Sequence, residues 1–218
     1  MEMSSKLYLE KLLSAAGCRN AAEISERFAA KFFSLYDAIQ ADEYKLKDMG
    51  FNSKEISLIR LTAALTSRRI TDRFKSGKRY SDEEIRELVS GLLFACSVES
   101  VYMLSFDKHG KFIAADLLDA GTVNASGVIP RKMLDIVLRR NAQSVILAHN
   151  HPCGRPVPSE SDVITTASVA SICQSAGIKL SAHYVAAGFE MYDCMSDIES
   201  SYSEERILSV SASVKCKI

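Results

Sequence analysis

Residues 145–162 read VILAHNHPCGRPVPSESD. Val145 to Ala148 is a short continuous apolar run, the length of a buried strand. Three of the chain's four prolines follow, Pro152, Pro156 and Pro158, with Gly154 among them. They make a stiff loop that has little conformational freedom to lose on ordering. Ser159 and Asp162 then stand at the S-x-x-[DE] spacing of a helix start, where the serine hydroxyl caps the first turn. Strand, stiff loop and helix are the grammar of an α/β domain. The same stretch carries chemistry. His149 and His151, two apart at a strand end, project to one face. Asp162 and Ser159, three apart, share one face of the helix start. Two imidazoles and one carboxylate are a three-ligand set for catalytic zinc, with the fourth position left to water. Zinc lowers that water's pKa toward roughly 7.

Working outward, the periodicity predicts a helix over 159–176 and a strand over 179–186. Upstream it predicts a strand over 101–106, a turn at Asp107-Lys108-His109-Gly110 and a returning strand over 111–118. A turn at Gly121, a short strand near Val128 and a helix opened by Pro130 and running to about Asn141 come next. A helix over 82–95 precedes this α/β unit. Before it the spacing is purely helical, over 4–14, 21–35, 36–46 and 54–67, with a tight break at Met49-Gly50-Phe51-Asn52. Residues 68–80, RRITDRFKSGKRY, read as a basic linker or a frayed helix end. Residues 200–218 read as a Ser-rich, partly ordered tail. The expected organisation is a helical unit over 1–80, an α/β unit over 81–199 and the tail.

Composition bounds the function. The chain has 218 residues, 47% hydrophobic and 25% charged, which excludes collagen-like and disordered classes. Lys+Arg 27 against Asp+Glu 27 leaves no chain-wide field drawing it to nucleic acid or membrane. The charge is uneven, with 15 Lys/Arg against 10 Asp/Glu in residues 1–80 and 12 against 17 afterwards. Apolar runs are far short of a membrane span, and the N-terminus lacks a signal peptide's apolar centre. A cytoplasmic location with no membrane partner is expected. Cys18, Cys96, Cys153, Cys173, Cys194 and Cys216 form no CxxC pair and read as reduced thiols.

H-x-H, seven residues, then S-x-x-D resembles the signature of the JAMM (MPN-type) metallopeptidases. The longer string HNHPCGRPVPSESD, with GTVNASGVIPRKMLDIVLRRNAQSVILAHNHP upstream, is similar to the bacterial RadC family within that group, over residues 95–195. SLYDAIQADEYKLKDMGFNSKEISLIRLTAAL resembles that family's small helix-hairpin-helix-like N-terminal region. The resemblance implies a deaminase-like three-layer α/β/α sandwich of JAB/MPN type behind a small all-α domain. It implies Zn2+ on His149, His151 and Asp162, with Ser159 helping to hold an oxyanion. It also implies a glutamate from an earlier strand, and Glu99, before VYMLSFD, falls on it as general base and then general acid. The implied reaction is metallopeptidase or isopeptidase hydrolysis, with a peptide or isopeptide-linked protein as substrate.

The sequence departs from that pattern at several points. Cys153 stands where the loop commonly has Ser, a thiol beside the metal whose expected reactivity exceeds that of Cys173. Ala182 replaces the Asp that usually precedes the later histidine, so His183 reads as structural. The hairpin turn has one glycine where the family has a Gly-x-Gly character, which weakens DNA binding through backbone N–H groups. Arg68, Arg69, Arg73 and Lys75 are the candidate phosphate contacts for a weak DNA association, against a solvated helix end. The alternative to an enzyme is a DNA-associated or protein-interaction module, of the repair or recombination type, that keeps a structural metal. A zinc nucleobase deaminase shares the fold, but no H-x-E accompanies Pro152-Cys153 and residue 156 is proline.

Overall fold

A computed structural model describes residues 5–32, 35–121, 128–152, 155–188 and 190–195. The tail over 200–218, Cys153 and Cys216 lie outside them. The N-terminal helices are α1 (Ser5–Ala15), α2 (Ala21–Lys31), α3 (Leu35–Gln40), α4 (Glu43–Asp48) and α5 (Ser53–Thr71). Leu9, Leu13, Phe28, Leu46 and Ile59 form their common core. The helix expected over 36–46 is two helices. Asp42 takes an extended conformation and caps α4, its side chain accepting from the Lys45 N–H at 2.8 Å. At the break after α4, Phe51 N–H bonds Leu46 O and Gly50 N–H bonds Lys47 O, a Schellman ending. Gly50 sits at φ +94°, and a Cβ there would meet the Arg27 guanidinium. Asn52 then opens α5 with a capping box to Glu55.

The segment read as a linker is packed. α5 runs on to Thr71, and Ile70, Phe74 and Tyr80 join a core with Phe106 and Phe112. Gly77 N–H donates to Phe112 O, and Phe112 N–H donates to Lys78 O. α6 (Asp82–Leu93) follows, opened by a Ser81–Glu84 capping box.

The sheet comprises β1 (Ser100–Phe106), β2 (Phe112–Ala120), β3 (Ser144–Asn150), β4 (Lys179–Ala187) and β5 (Glu190–Asp193), in the order β2-β1-β3-β4-β5. Only β3 and β4 are parallel. α7 (Val128–Arg140) starts where a short strand was expected near Val128. Pro130 lies in its first turn, where the missing N–H has no intrahelical partner to lose. α8 (Glu160–Ser175) crosses between the parallel strands. β5, four residues at the sheet edge, was not anticipated. Strand alternation sorts the side chains into two cores. Leu104, Ile146, Ala148, Ala182 and Tyr184 meet α6 through Ile85, Leu88 and Val89. Met103, Val145, Leu147 and Leu180 meet α7 and α8 through Met133, Val137, Val169 and Cys173. The fold is therefore a mixed α/β sandwich in three layers, preceded by a helical region. No helix of the described residues is long and apolar enough to cross a membrane.

Candidate metal centre

His149 is the penultimate residue of β3 and lies on the α8 face, because Val145 and Leu147 of the same parity pack there. His151 follows one residue beyond the strand, its own N–H bonded to Ala186 O at 2.9 Å. Asp162 is the third residue of α8 and the second half of its capping box. Ser159 Oγ accepts from Asp162 N–H at 3.2 Å, while Asp162 Oδ2 accepts from Ser159 N–H and from Ser159 Oγ–H, both at 2.7 Å. The cap thus aims the carboxylate. His149 Nε2 and His151 Nε2 lie 3.1 Å apart. His149 Nε2 is 3.2 Å from Asp162 Oδ1, and His151 Nε2 is 3.4 Å from Asp162 Oδ2. Bonds of about 2.0–2.1 Å in a tetrahedral zinc site set donor atoms about 3.3 Å apart, and the two nitrogens have about that spacing. Each faces a different oxygen of Asp162, and one ligand atom from each residue lies within 4.8 Å of the others, so the three side chains are grouped as a metal site requires.

The lone pairs also point correctly. His151 Nδ1 faces Arg155 O at 3.2 Å. A carbonyl only accepts, so Nδ1 carries the proton and Nε2 is bare. The His149 tautomer is fixed over a longer path. Thr166 Oγ1 donates to Asp162 O at 2.5 Å, one turn back along α8. Its single hydrogen is then used, so at 2.6 Å it accepts from His183 Nδ1–H. His183 Nε2 is left as the acceptor for His149 Nδ1–H at 3.0 Å. His149 Nε2 is therefore bare as well. All three members of this relay are buried. Metal-bound histidines commonly donate their second N–H to such a partner, which fixes ring and tautomer.

The electrostatics agree. Burial pushes His183 down to about 3, with the nearby His149 adding to the effect, so it is neutral as the relay requires. The Asp162 hydrogen bond raises His151, against burial, with smaller contributions from the Arg155 carbonyl and the Glu99 charge. Burial works against the Asp162 charge, yet Ser159 donates to it, and either histidine, when it takes up a proton on Nε2 in the metal-free protein, donates to it as well, so its carboxyl is held well below the usual carboxylate range.

Glu99 is half-buried just before β1. β1 pairs antiparallel with β3, Val101 opposite His149, so extending the register sets Glu99 opposite His151, on whose pKa its charge acts. The rival acid Glu160 is exposed. The basic residues lie away from this centre, at the end of α5 and in the segment after it. Arg68 pairs with Asp72 and Arg73 with Glu87, which spends two of the four charges offered for phosphate contact; Arg69 and Lys75 are exposed.

Sequence reasoning missed Thr166 and Asn150 and gave His183 a structural place. A β-bulge explains the last. Between β3 and β4 the register steps from Val145 opposite Leu180 to Ile146 opposite Ala182. The extra residue, Ser181, flips the alternation, so Leu180 faces α8, Ala182 faces α6, and His183 returns to the α8 side beside His149.

Residues 79–199 match the family model described as the RadC-like JAB domain. Similar proteins include a UPF0758 protein of Photobacterium profundum, 29% identical over 168 residues, 76% of this chain and 75% of that one. Another, from Herminiimonas arsenicoxydans, is 28% identical over 178 residues, 80% of this chain and 79% of its own. A third, from Actinobacillus pleuropneumoniae serotype 5b, is 30% identical over 172 residues, 75% of each chain. The match takes in the whole sheet, all three donor residues, Ser159 and Glu99, and the chain belongs to the RadC family of JAB-domain proteins.

Proposed function

We propose that the protein is a zinc-dependent hydrolase of amide bonds, acting on a peptide or on an isopeptide-linked protein. One observation carries this reading: two imidazole nitrogens with bare lone pairs and one carboxylate converge, one ligand atom from each lying within 4.8 Å of the others. The donor set of two histidines and one carboxylate is the chemistry of catalytic zinc. Held there, the ion supplies a Lewis acid and a water acidified toward neutral pH.

The chain's own groups do the rest. Glu99, opposite His151, takes the proton of the attacking water and delivers it to the amine as the carbon–nitrogen bond breaks. Ser159 Oγ–H turns from Asp162 Oδ2 to the developing oxyanion, which the capping N–H of Asp162 cannot follow because it stays on Ser159 Oγ. Arg155, through its carbonyl, and His183, through the relay, hold both imidazoles in the ligating tautomer while the proton moves elsewhere.

Metal analysis with a cleavage screen tests this. Purified protein is expected to carry about one zinc per chain, and His149→Ala and Asp162→Ala to lose it. Glu99→Gln should keep zinc and lose turnover by two to four orders of magnitude on lysine-isopeptide-linked and linear peptide substrates. Full metal content in both ligand variants overturns the site, and full turnover in Glu99→Gln overturns the mechanism.

A further inference from the structure

We propose that Asn150 is a positioning residue for Glu99, acting from the face of the sheet opposite the histidines. The proposal rests on the reading of Glu99 as the proton carrier. Asn150 lies between the two histidine ligands, and strand alternation sends its side chain to the α6 side, where it is fully buried. A carboxamide has one acceptor oxygen and two donor hydrogens, and all are used on a single turn. Asn150 Oδ1 accepts from Ser100 N–H at 2.8 Å. Nδ2 donates to Cys96 O at 3.1 Å and to Val98 O at 3.2 Å. These groups flank Glu99 in the chain, between the end of α6 and the start of β1. Glu99 O in turn accepts from Gly121 N–H at 2.8 Å.

The path of the backbone through Glu99 is thus tied to the residue that separates the ligands. Any shift of β3 carries the histidines and the Glu99 turn together. The residue type follows from the contacts. An aliphatic side chain would fill the space but take away the Asn150 partner of the Ser100 N–H and of the Cys96 carbonyl, and leave the Val98 carbonyl to the Ser100 hydroxyl, which donates to it at 3.0 Å. Aspartate would set a charge against two carbonyl oxygens. Asparagine satisfies all three groups, so His-Asn-His is at once a ligand pair and a brace for the base.

Amide hydrogen exchange on the zinc-loaded protein, read by NMR, tests the brace without reference to turnover. In the parent, Ser100 N–H and both Asn150 Nδ2 protons should exchange as slowly as Met103 and Leu147 in the sheet core. In Asn150→Ala, zinc content should stay at about one per chain. Ser100 should then exchange about tenfold to a hundredfold faster, with Met103 and Leu147 unchanged. On an isopeptide substrate, Asn150→Ala should lower kcat far more than it changes KM. Added to Glu99→Gln it should cost nothing further, because it acts through that residue. Frayed-end exchange at Ser100 in the parent overturns the proposal even if Asn150→Ala does not fold. So does unchanged Ser100 exchange in the variant, or an additive loss in the double variant. Full turnover in Glu99→Gln overturns the function reading instead, and the exchange arm then decides the brace alone.

Discussion

At the scale of single residues, the site depends on groups that touch no ligand. Thr166 fixes His183, His183 fixes His149, and each step follows from which atom can only accept. Thr166→Val keeps the shape but removes both hydrogen bonds, freeing His183 and then His149 to take the wrong tautomer. Loss of such a partner typically costs tenfold to a hundredfold in metal affinity. Competition with a chromogenic chelator should show a weakening of about that size with the fold intact, and an unchanged affinity would mean the relay is not needed. His183 also predicts a pH dependence in the metal-free protein. Its folded pKa lies below its ordinary 6.5, at about 3, so the unfolded chain binds the extra proton first. Stability is then complete above about pH 6.5 and falls with acid at up to about 1.4 kcal/mol per pH unit toward pH 3. Urea midpoints between pH 7 and 5 should drop in the parent and flatten in His183→Leu. The grouping of His149, His151 and Asp162 was legible because they sit in one run of 14 residues whose strand and helix periods both point inward. Thr166 and His183 were not, since their meeting depends on tertiary register.

Elements tell the same story at longer range. Most helices and strands follow from periodicity, and the capping residues Asn52, Ser81 and Ser159 act where their spacing to Glu55, Glu84 and Asp162 implies. What failed was punctuation. The Asp42 cap splits a continuous helical pattern, the Ser181 bulge reverses a strand's two faces, and a four-residue edge strand is too short to alternate visibly. The basic stretch after Ser67 looked unstructured because its few apolar residues are spaced for a loop. Phe74 and Tyr80 nevertheless anchor it on Phe112. Gly91 shows how closely this junction is packed. A Cβ there would lie 2.6 Å from Ile70 Cγ2 and 2.9 Å from Ile70 Cβ, and a β-branched side chain on a helix cannot swing away. Gly91→Ala gains up to about 1 kcal/mol in helix propensity but costs about 1–3 kcal/mol in overpacking. The variant should be less stable by chemical denaturation despite its better helix former. A gain in stability would show that the end of α5 yields freely to α6.

On the scale of the whole molecule, the centre joins parts that the sheet alone does not hold together. His149 belongs to the central strand β3, Asp162 to the outer helix α8, and His183 to β4 beyond the bulge, while Glu99 hangs from the turn after α6. Within the described residues, the direct side-chain ties from His149 and His151 to α8 at this end run through Asp162. An ion bound by all three ligands therefore binds the folded chain and not the unfolded one, so it must stabilise by mass action. At free zinc a hundredfold above Kd the gain is about 2.7 kcal/mol. For a chain of this size that is about 5–10 °C in Tm. His149→Ala should abolish the shift, and a chelator should reverse it in the parent. Protons compete for the same lone pairs, and the Asp162 bond that raises the His151 pKa makes that competition felt earlier than at an ordinary imidazole. The zinc-induced rise in Tm should accordingly shrink as pH falls from 7.5 to 5.5. Calorimetry over that range decides the matter. A rise of equal size in the parent and in His149→Ala would place the bound zinc somewhere other than these three residues.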